Sequence, residues 1–340
     1  MRRLLACCQV DHPGGAEIGL LRLARRLLDR DWDVTVTTPG EGPLRDAAMA
    51  LGCGWSQLDC GGLVPGAGAR AVASWPKARW LSRDHDATLL NGTVAGRLLP
   101  ALRPRRTILH VHDMVTRIPR HWQGADVVLA DSEAVAARLD GLDPIVVYCP
   151  VELDPPDVAP PWEPSPPGGG PVVAYFGRLE PRKGPMDLVL AAPAIRAGAP
   201  GARVLIVGDD PFGTDPQYAA AVRVGEHVEH HGWVDDAAGL MRHVDVVVAP
   251  SRGEPFGTVL SEAMAVGTPV VCTNVDGLPE VVQDGVNGAL VEPGDVEALA
   301  AAVLRVLASH DVLGAAARSS AQRFGADAYA DRVEALLIGS

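Results

Sequence analysis

The stretch from residue 155 to residue 171 divides this sequence into two parts. It contains eight prolines and the run Gly168-Gly169-Gly170. Proline has a fixed φ and no backbone N–H, so this density of proline excludes a helix or a central strand. The stretch therefore predicts an interdomain linker between a first domain (residues 1–154) and a second domain (residues 172–325). A last amphipathic helix within residues 326–340 is expected to pack back on the first domain.

Short apolar runs alternate with helical patterns on both sides of this linker. In the first part, apolar runs at 4–10 and 34–38 flank a helical pattern at 17–29. This order is typical of a parallel sheet with helices on both faces, so the sequence predicts an α/β fold with two Rossmann-like, doubly wound domains. Residues 40–80 show no clear pattern. The other predicted strands are 87–90, 107–111, 127–130, 172–176, 203–207, 228–233, 244–249, 269–273 and 289–291, and the other predicted helices are 185–195, 260–266, 278–282, 296–307 and 329–337.

Charge and composition narrow the class of protein. Residues 1–150 carry 18 Lys+Arg against 16 Asp+Glu, whereas residues 151–340 carry 12 against 26, which makes nucleic acid an improbable partner. None of the six cysteines forms a CxxC pair, so free thiols in the cytoplasm are expected. The longest apolar runs fall short of the ~20 residues that span a bilayer, and the apolar start at residues 4–10 is expected to be a strand rather than a secretion signal.

Two carboxylates bracket a glycine turn after the apolar run at 244–249. Glu254 precedes Phe256-Gly257-Thr258, and Glu262 follows about one turn into a predicted helix. The start of a helix offers unpaired N–H groups and the positive end of a dipole, which suit an anionic ligand. The spacing predicts that both carboxylates can face one ligand, with Glu262 able to accept from the two hydroxyls of a ribose.

Two cations lie five residues apart in the loop after the predicted strand at 172–176. Arg178 and Lys183 are expected to hold a diphosphate, because fixed cations stabilise the charge that builds on a leaving phosphate. The sequence has 28 arginines and only two lysines, so Lys183 is more informative than an ordinary surface charge, although a solvated loop charge is the alternative. The acidic doublets Asp209-Asp210 and Asp235-Asp236 lack the Asp-x-Asp form of a metal–diphosphate site, so no metal or other cofactor is expected.

Two features of the first part each have two interpretations. Gly14 and Gly15 would let a backbone approach a ligand at the end of the first strand, or would only form a tight turn. Residues 70–81 mix basic residues with Trp75 and Trp80, which suits either a membrane or acceptor contact or a plain surface helix.

Residues 172–308 resemble the donor domain of GT-B-fold glycosyltransferases of the family-4 retaining type. The matching motifs are Gly177-Arg178-Leu179, Lys183-Gly184, His231-Gly232-Trp233, Ala249-Pro250-Ser251, Glu254-Pro255-Phe256-Gly257, Glu262-Ala263-Met264-Ala265, Gly267-Thr268-Pro269, Gly277-Leu278-Pro279-Glu280 and Gly285-Val286-Asn287-Gly288. The resemblance implies two domains that face each other across a cleft.

The resemblance also implies a role for each matched residue of the second domain. Glu254 would contact the donor sugar, Glu262 the ribose, and Arg178 and Lys183 the diphosphate. The donor-binding set is completed by backbone groups of Phe256, Gly257 and Thr258 at the sugar and phosphate and by Trp233 and Val234 near the base.

The first domain is similar to the family's acceptor domain through fewer motifs. Gly14-Gly15-Ala16-Glu17 matches its glycine loop near the donor phosphate, and residues 127–132 match a strand of that domain. His112, followed by Asp113, resembles the family's catalytic histidine near the transferring sugar; His110, or a purely structural histidine, is the alternative. The crossing between the domains reads Cys149-Pro150-Val151-Glu152, where the family usually has Asn-Gly before Val-Asp.

These features together predict a retaining glycosyltransferase. It would move a sugar from a nucleoside diphosphate sugar, UDP-hexose or UDP-N-acetylhexosamine, to a hydroxyl of a small-molecule acceptor such as a sugar, cyclitol or natural product. The charge of the first part favours a soluble acceptor over peripheral membrane contact. The alternatives are a membrane-associated enzyme that acts on a lipid or polysaccharide, and a catalytically silent sugar-nucleotide-binding subunit. An epimerase has different loop signatures, and a phosphorylase needs a cofactor-bearing lysine that is not evident here.

Overall fold

A computed structural model of the chain describes residues 1–62, 66–164, 169–211, 213–234 and 236–339. The chain forms two compact units. The first unit contains Met1–Pro150 and Ala326–Ser340, and the second contains Val151–Gly325.

The first unit is built on one parallel sheet of seven strands in the order β3-β2-β1-β4-β5-β6-β7. Its strands are β1 Arg2–Cys8, β2 Trp32–Thr38, β3 Gly54–Gln57, β4 Ala87–Asn91, β5 Arg106–Val111, β6 Val127–Ala130 and β7 Ile145–Val146. Its helices before the crossing are α1 Gly15–Leu28, α2 Pro43–Ala50, α3 Gly68–Arg83 and α4 Glu133–Ala136, with 3₁₀ helices at Ala95–Ala101 and Arg120–Gly124.

Strand β1 shows why this sheet is covered on both faces. Side chains alternate along a strand, so Leu4 and Ala6 lie on one face while Leu5 and Cys7 lie on the other. The first pair packs in a core with the buried side of α1, and the second pair packs in a separate core. A strand buried on both faces must be continuously apolar, as residues 4–8 of β1 are.

The second unit repeats this plan with six parallel strands in the order β10-β9-β8-β11-β12-β13. The strands are β8 Val172–Phe176, β9 Arg203–Val207, β10 Glu229–His231, β11 Val246–Ala249, β12 Val270–Thr273 and β13 Gly288–Val291. The helices are α5 Pro185–Gly198, α6 Pro216–Arg223, α7 Ala237–Leu240, α8 Thr258–Ala265, α9 Leu278–Val281, α10 Val296–Ala308 and α11 His310–Ala321, with 3₁₀ helices at Pro181–Lys183, Met241–His243 and Gln322–Phe324.

The last helix, α12 Ala326–Ile338, belongs to the first unit. Tyr329, Val333 and Leu337 are buried in the core that α1 also covers. Arg26 of α1 contacts Asp327 at 2.6 Å, and the Trp32 indole N–H donates to Glu334 at 2.8 Å. Apolar burial and these polar contacts hold the C-terminal segment on this unit.

The proline-rich stretch, which is the predicted interdomain linker, packs in part on the second unit. Its described residues belong to the second unit, where Trp162 is 4% exposed and lies 6.3 Å from the Phe176 ring and 5.6 Å from the His231 ring. Residues 165–168 of the predicted linker lie outside the described residues. Proline excludes regular structure but not packing, and this segment is held by the buried Trp162 and by its own carbonyls, since Pro155 accepts from Arg242 and Glu163 from Arg203.

Several elements were not predicted. Residues 40–80 contain α2 and β3, and β7, α6, α7 and α11 also lie where no element was predicted. Helix α3 agrees with the plain surface helix that was one of the two interpretations of residues 70–81. Pro193 was expected to shorten or kink its helix, yet α5 continues to Gly198. Pro193 is exposed, whereas Leu188, Ala192 and Ile195 are buried, so the packing of the inner face outweighs one missing hydrogen bond.

Among the described residues, no single helix is both long and apolar enough to cross a membrane, although the bent pair Val296–Ala308 and His310–Phe324 has the length and composition when its two helices are taken together.

Candidate functional site

In the second unit, two loops meet where the strand order reverses. Strand β8 has β9 on one side and β11 on the other, and ligands of doubly wound sheets bind at this switch point, beyond the carboxyl ends of the strands. The loop after β8 and the loop after β11 are in direct contact. The Arg252 N–H donates to the Arg182 carbonyl, and the Arg182 guanidinium donates to the Gly253 carbonyl, each at 2.7 Å.

Glycine permits this close approach. Gly184 ends the first loop with φ 68°, in the left-handed region, and begins α5. A Cβ on Gly184 would lie 2.0 Å from the Pro250 carbonyl oxygen, so only glycine fits here without moving the second loop.

The predicted diphosphate cations lie in the first of these loops. The Arg178 guanidinium is 3.2 Å from Glu180, which is 6% exposed, and Glu180 also contacts Arg182 at 3.0 Å. The Tyr175 hydroxyl donates to the Arg178 carbonyl at 2.6 Å. Lys183 forms an ion pair with Glu254 of the second loop. The structure thus brings three of the predicted site residues, Arg178, Lys183 and Glu254, to one place.

Backbone contacts fix the turn that carries Glu254. Its N–H donates to Asp276 at 3.0 Å, and its carbonyl accepts from the Gly277 N–H at 3.0 Å. Asp276 has φ 46°, an uncommon conformation that aspartate tolerates better than most residues. Asp276 was not predicted as a site residue, because no local sequence pattern connects residues 276 and 254.

The same turn leads into the start of helix α8. Gly257 has φ 96° and precedes Thr258, the first residue of α8. Phe256 is 2% exposed, and its ring packs edge-to-face on Phe324 at 5.3 Å. The first N–H groups of a helix have no partner within it, so the buried Phe256 anchors a turn that offers donors to an anion.

The remaining predicted donor residues lie in the same unit. Glu262 is half-buried in the second turn of α8. Trp233 follows β10, at the same edge of the sheet, and is 49% exposed, while Val234 is half-buried. An exposed tryptophan beside a strand end leaves a flat apolar face accessible to a ligand.

The acidic residues that were considered for metal binding have structural contacts. Asp209 pairs with Arg223, and Asp210 accepts from the Thr214 and Asp215 N–H groups at 2.9 and 3.1 Å. Asp236 caps α7, and Asp235 lies outside the described residues. The described members of the two doublets act as turn and cap residues.

In the first unit, the glycine loop lies at the start of α1. The Gly14 N–H donates to the Glu17 carboxylate at 3.0 Å, and Gly15 is the first helical residue. Glu17 is 6% exposed, and burial raises its pKa. The glycine pair therefore forms the tight turn that was one of its two predicted roles, and its approach to a ligand stays a prediction.

The predicted histidines form a buried cluster with Asp131 at the carboxyl edge of the same sheet. His112 Nδ1 is 2.7 Å from one Asp131 oxygen, and His110 Nε2 is 2.8 Å from the other. His112 Nε2 is 2.9 Å from Asn91 Oδ1. Because both nitrogens of His112 face acceptor oxygens, this arrangement fits the protonated imidazolium form.

The electrostatics of the cluster agree with that assignment. Burial lowers the pKa of His112, but the charges of Asp131, Glu17 and Asp113 more than offset burial, and its pKa lies above the ordinary value. Burial and the nearby His112 lower the pKa of His110. Burial disfavours the Asp131 carboxylate, yet the two histidines hold its pKa well below the usual range. These shifts favour a His112 cation and an Asp131 anion beside a neutral His110.

This trio also has the spacing of metal ligands. Ligand-type atoms of His110, His112 and Asp131 lie within 4.8 Å of one another. A ring nitrogen that donates a proton has no lone pair for a metal, and both nitrogens of His112 lie at hydrogen-bond distance from oxygens. The trio fits a hydrogen-bonded charge cluster better than a metal centre. Asp131 and Asn91 were missed as its members, although the neighbouring strands β4, β5 and β6 bring them together.

Comparison with known proteins identifies the class and then the family. Two parallel Rossmann-like domains with this strand order are the architecture of GT-B glycosyltransferases, and crystallised Anabaena HepE in complex with UDP and glucose superimposes with a TM-score of 0.82 at 22% identity over 100% of both chains. Residues 170–309 match the family model "Glycosyl transferases group 1", and residues 13–155 match "Glycosyltransferase Family 4". The chain belongs to the family-4 glycosyltransferases.

Two curated relatives give a narrower comparison. The D-inositol 3-phosphate glycosyltransferase of Segniliparus rotundus is 40% identical over 171 residues, which cover 47% of this chain and 38% of the relative. The phosphatidyl-myo-inositol mannosyltransferase of Mycobacterium tuberculosis is 36% identical over 217 residues, which cover 59% and 50%. The matched part thus spans half or less of the length of each relative.

Proposed function

We propose that this chain is a retaining glycosyltransferase that moves a sugar from a nucleoside diphosphate sugar to a hydroxyl of a small-molecule acceptor. One observation carries the proposal: the loop with Arg178 and Lys183 contacts the loop with Glu254 at the switch point of a doubly wound sheet. Two cations, a carboxylate and a helix start in one place match the chemistry of a diphosphate joined to a sugar.

In this proposal the second unit binds the donor. Arg178 and Lys183 bind the diphosphate, and the N–H groups of Gly257 and Thr258 bind phosphate and sugar oxygens. Glu262 accepts from the ribose hydroxyls. Trp233 and Val234 lie near the base.

Transfer breaks the bond between the anomeric carbon and the phosphate oxygen, and negative charge develops on that oxygen. Fixed cations and backbone N–H groups stabilise this charge, and the loss of one such donor typically costs about 10²–10³ in rate. The acceptor hydroxyl forms the new bond on the same face, and its proton passes to the departing phosphate oxygen. Glu254 then positions the sugar through its hydroxyls, so Glu254→Gln should lower turnover without abolishing nucleotide binding.

The proposed nucleotide and acceptor are supported by the comparisons with known proteins. HepE was crystallised with UDP and glucose, which favours a UDP-linked hexose or N-acetylhexosamine. The curated relatives are named for inositol-based acceptors, which favours a polyhydroxylated acceptor. Catalysis without a metal is also part of the proposal, because Arg178 and Lys183 supply the positive charge that a metal would otherwise supply.

First-unit roles for Gly14, Gly15 and His112 stay predictions. For His112, the test is Ala substitution with turnover and UDP affinity measured separately. A catalytic residue would change turnover, whereas a structural one would change mainly the unfolding midpoint.

A thermal-shift screen with UDP-, GDP-, ADP- and dTDP-sugars tests the donor assignment, because a ligand that binds the native state stabilises it by mass action. A UDP-sugar should raise the midpoint most, with and without EDTA. Release of UDP from that donor in the presence of candidate acceptors then tests transfer, and the anomeric configuration of the product tests retention. If no sugar nucleotide stabilises the protein, the proposal is wrong.

A lipid acceptor is the second candidate, and helix α3 gives the observation in its favour. Trp80 is 63% exposed and Val72 is 52% exposed on this helix, which also carries Lys77 and Arg79. Exposed apolar side chains among basic ones suit an anionic membrane surface. Pelleting of the protein with anionic but not neutral liposomes would support this candidate over the soluble acceptor.

A further inference from the structure

The ion pair between Lys183 and Glu254 joins two residues to which the proposed function gives separate ligands. Their side chains are 21% and 11% exposed, so the pair is partly screened from water but can still be reached by a ligand. Lys183 is proposed to bind the diphosphate and Glu254 the sugar. Each of the two residues is therefore paired with the other at the position where the proposal gives it a group of the donor.

The other cations of the two loops have different partners. Arg178 and Arg182 contact Glu180, and Arg252 contacts Asp187 at 2.9 Å. Neither Glu180 nor Asp187 has a proposed contact with the donor, so those pairs can persist when the donor binds. Among these ion pairs, the pair of Lys183 with Glu254 is the one in which both members have a proposed contact with the donor.

The backbone of Glu254 is held in its turn, so the side chain is the part of this residue that can change its partner when a ligand binds. Its backbone N–H and carbonyl are held by Asp276 and Gly277. A partly buried carboxylate without a cation or hydrogen-bond donor is costly, so Glu254 needs a partner in every state of the site.

We propose that the donor exchanges these partners: Lys183 leaves Glu254 for the diphosphate, and Glu254 then accepts from the sugar hydroxyls. This inference rests on the proposed function. Lys183 and Glu254 each find a new partner only when the ligand has both a diphosphate and a sugar to be transferred. After transfer, the nucleoside diphosphate left behind no longer offers Glu254 a partner. Glu254 then competes for Lys183, and the re-formed pair favours release of the product.

A double-mutant cycle on UDP affinity tests the exchange. Isothermal titration at one pH and ionic strength would compare the unmodified chain with K183M, E254Q and K183M/E254Q. UDP lacks the sugar that is transferred, so Glu254→Gln should tighten its binding by removing the competitor for Lys183. The tightening should be at least about threefold larger when residue 183 is lysine than when it is methionine, as an ion pair of ~0.7 kcal/mol implies.

The cycle separates the exchange from simple charge repulsion. If Glu254 acts only by repelling phosphate, Glu254→Gln tightens UDP by the same factor in both backgrounds, and the inference is overturned. Asp187→Asn is the matched control, because it removes a buried carboxylate, in the first turn of α5, from Arg252 of the second loop. Tightening by D187N equal to that by E254Q would also overturn the inference.

A second measurement needs no change at residue 183. The ratio of UDP-glucose affinity to UDP affinity should fall at least about tenfold in E254Q, since UDP loses its competitor while the sugar loses a charged hydrogen-bond partner. An unchanged ratio would mean that Glu254 has only a structural effect. If neither UDP nor GDP binds the unmodified chain, the proposed function itself fails; if one binds and the cycle shows no coupling, only the exchange fails.

Discussion

Replacement of Gly277 by alanine should displace the turn that carries Glu254. A Cβ at this position would lie 2.1 Å from the Pro255 carbonyl oxygen and 3.0 Å from the Phe256 Cα, whereas ordinary contact begins at 3.4 Å. The φ of Gly277 is −82°, which alanine adopts freely, so the whole cost arises from this contact. Relief requires a shift of about 1 Å in residues 255–256 and strains the hydrogen bond from the Gly277 N–H to the Glu254 carbonyl.

The magnitude follows from that displacement. Overpacking of this size typically costs about 1–3 kcal/mol of stability, and a misplacement of ~1 Å in a catalytic group costs about 10²-fold in rate. Urea unfolding and the kcat/KM for donor turnover would measure the two effects. Gly124→Ala is the control, because a Cβ there meets nothing within 4 Å. If G277A matches G124A in both stability and kcat/KM, the reasoning about this turn is refuted.

Three further predictions concern other residues. The pKa of His112 is raised above 6.5 and that of Asp131 is lowered below 3.8, so the stability from their ion pair is fully present between these values and is lost as pH rises through the raised pKa of His112. Asp131→Asn should lower the free energy of unfolding by about 3–5 kcal/mol at pH 6 and flatten its decline with pH, as measured by urea unfolding at pH 5–9. A variant whose stability depends on pH as in the unmodified chain would contradict this. Phe256→Ala should lower the unfolding free energy by ~3–5 kcal/mol, because the ring is 2% exposed and packs on Phe324; a loss below about 1 kcal/mol in urea unfolding would show that the ring is not an anchor. Glu262→Gln should weaken UDP binding about tenfold in titration calorimetry by removing the charged acceptor of the ribose, and an unchanged affinity would remove this role.

The strands and the fold class could be predicted because parallel strands buried on both faces need continuous apolar runs. The bounds of β8 and β9 agree with the predicted ones at both ends. The region that contains α3 could not be predicted in this way, because alanine, glycine and proline dominate it and only four of its helical residues are buried. A helix with so narrow a buried face has little periodicity in its sequence.

The loops that form the site could be predicted from the sequence, but the contact between Lys183 and Glu254 could not. Each of the loops after β8 and β11 has a recognisable motif, and the parallel topology brings them to one edge. The pair of Lys183 with Glu254 joins residues 71 positions apart, and it depends on the exact approach that Gly184 allows. The contact of His112 with Asp131 was within reach of sequence analysis, since both residues directly follow strands that neighbour each other.

The affinity for UDP compared with that for uridine tests most directly the claim that the second unit holds a nucleoside diphosphate against Arg178 and Lys183. Titration calorimetry of the unmodified chain should show UDP bound at least ~100-fold more tightly than uridine, because charge-assisted contacts to phosphate are each worth about 1.5–3 kcal/mol. In the double variant Arg178→Gln with Lys183→Met, that preference should largely disappear while uridine affinity stays the same. Equal affinities for UDP and uridine in the unmodified chain, or a preference that survives the double substitution, would contradict the account.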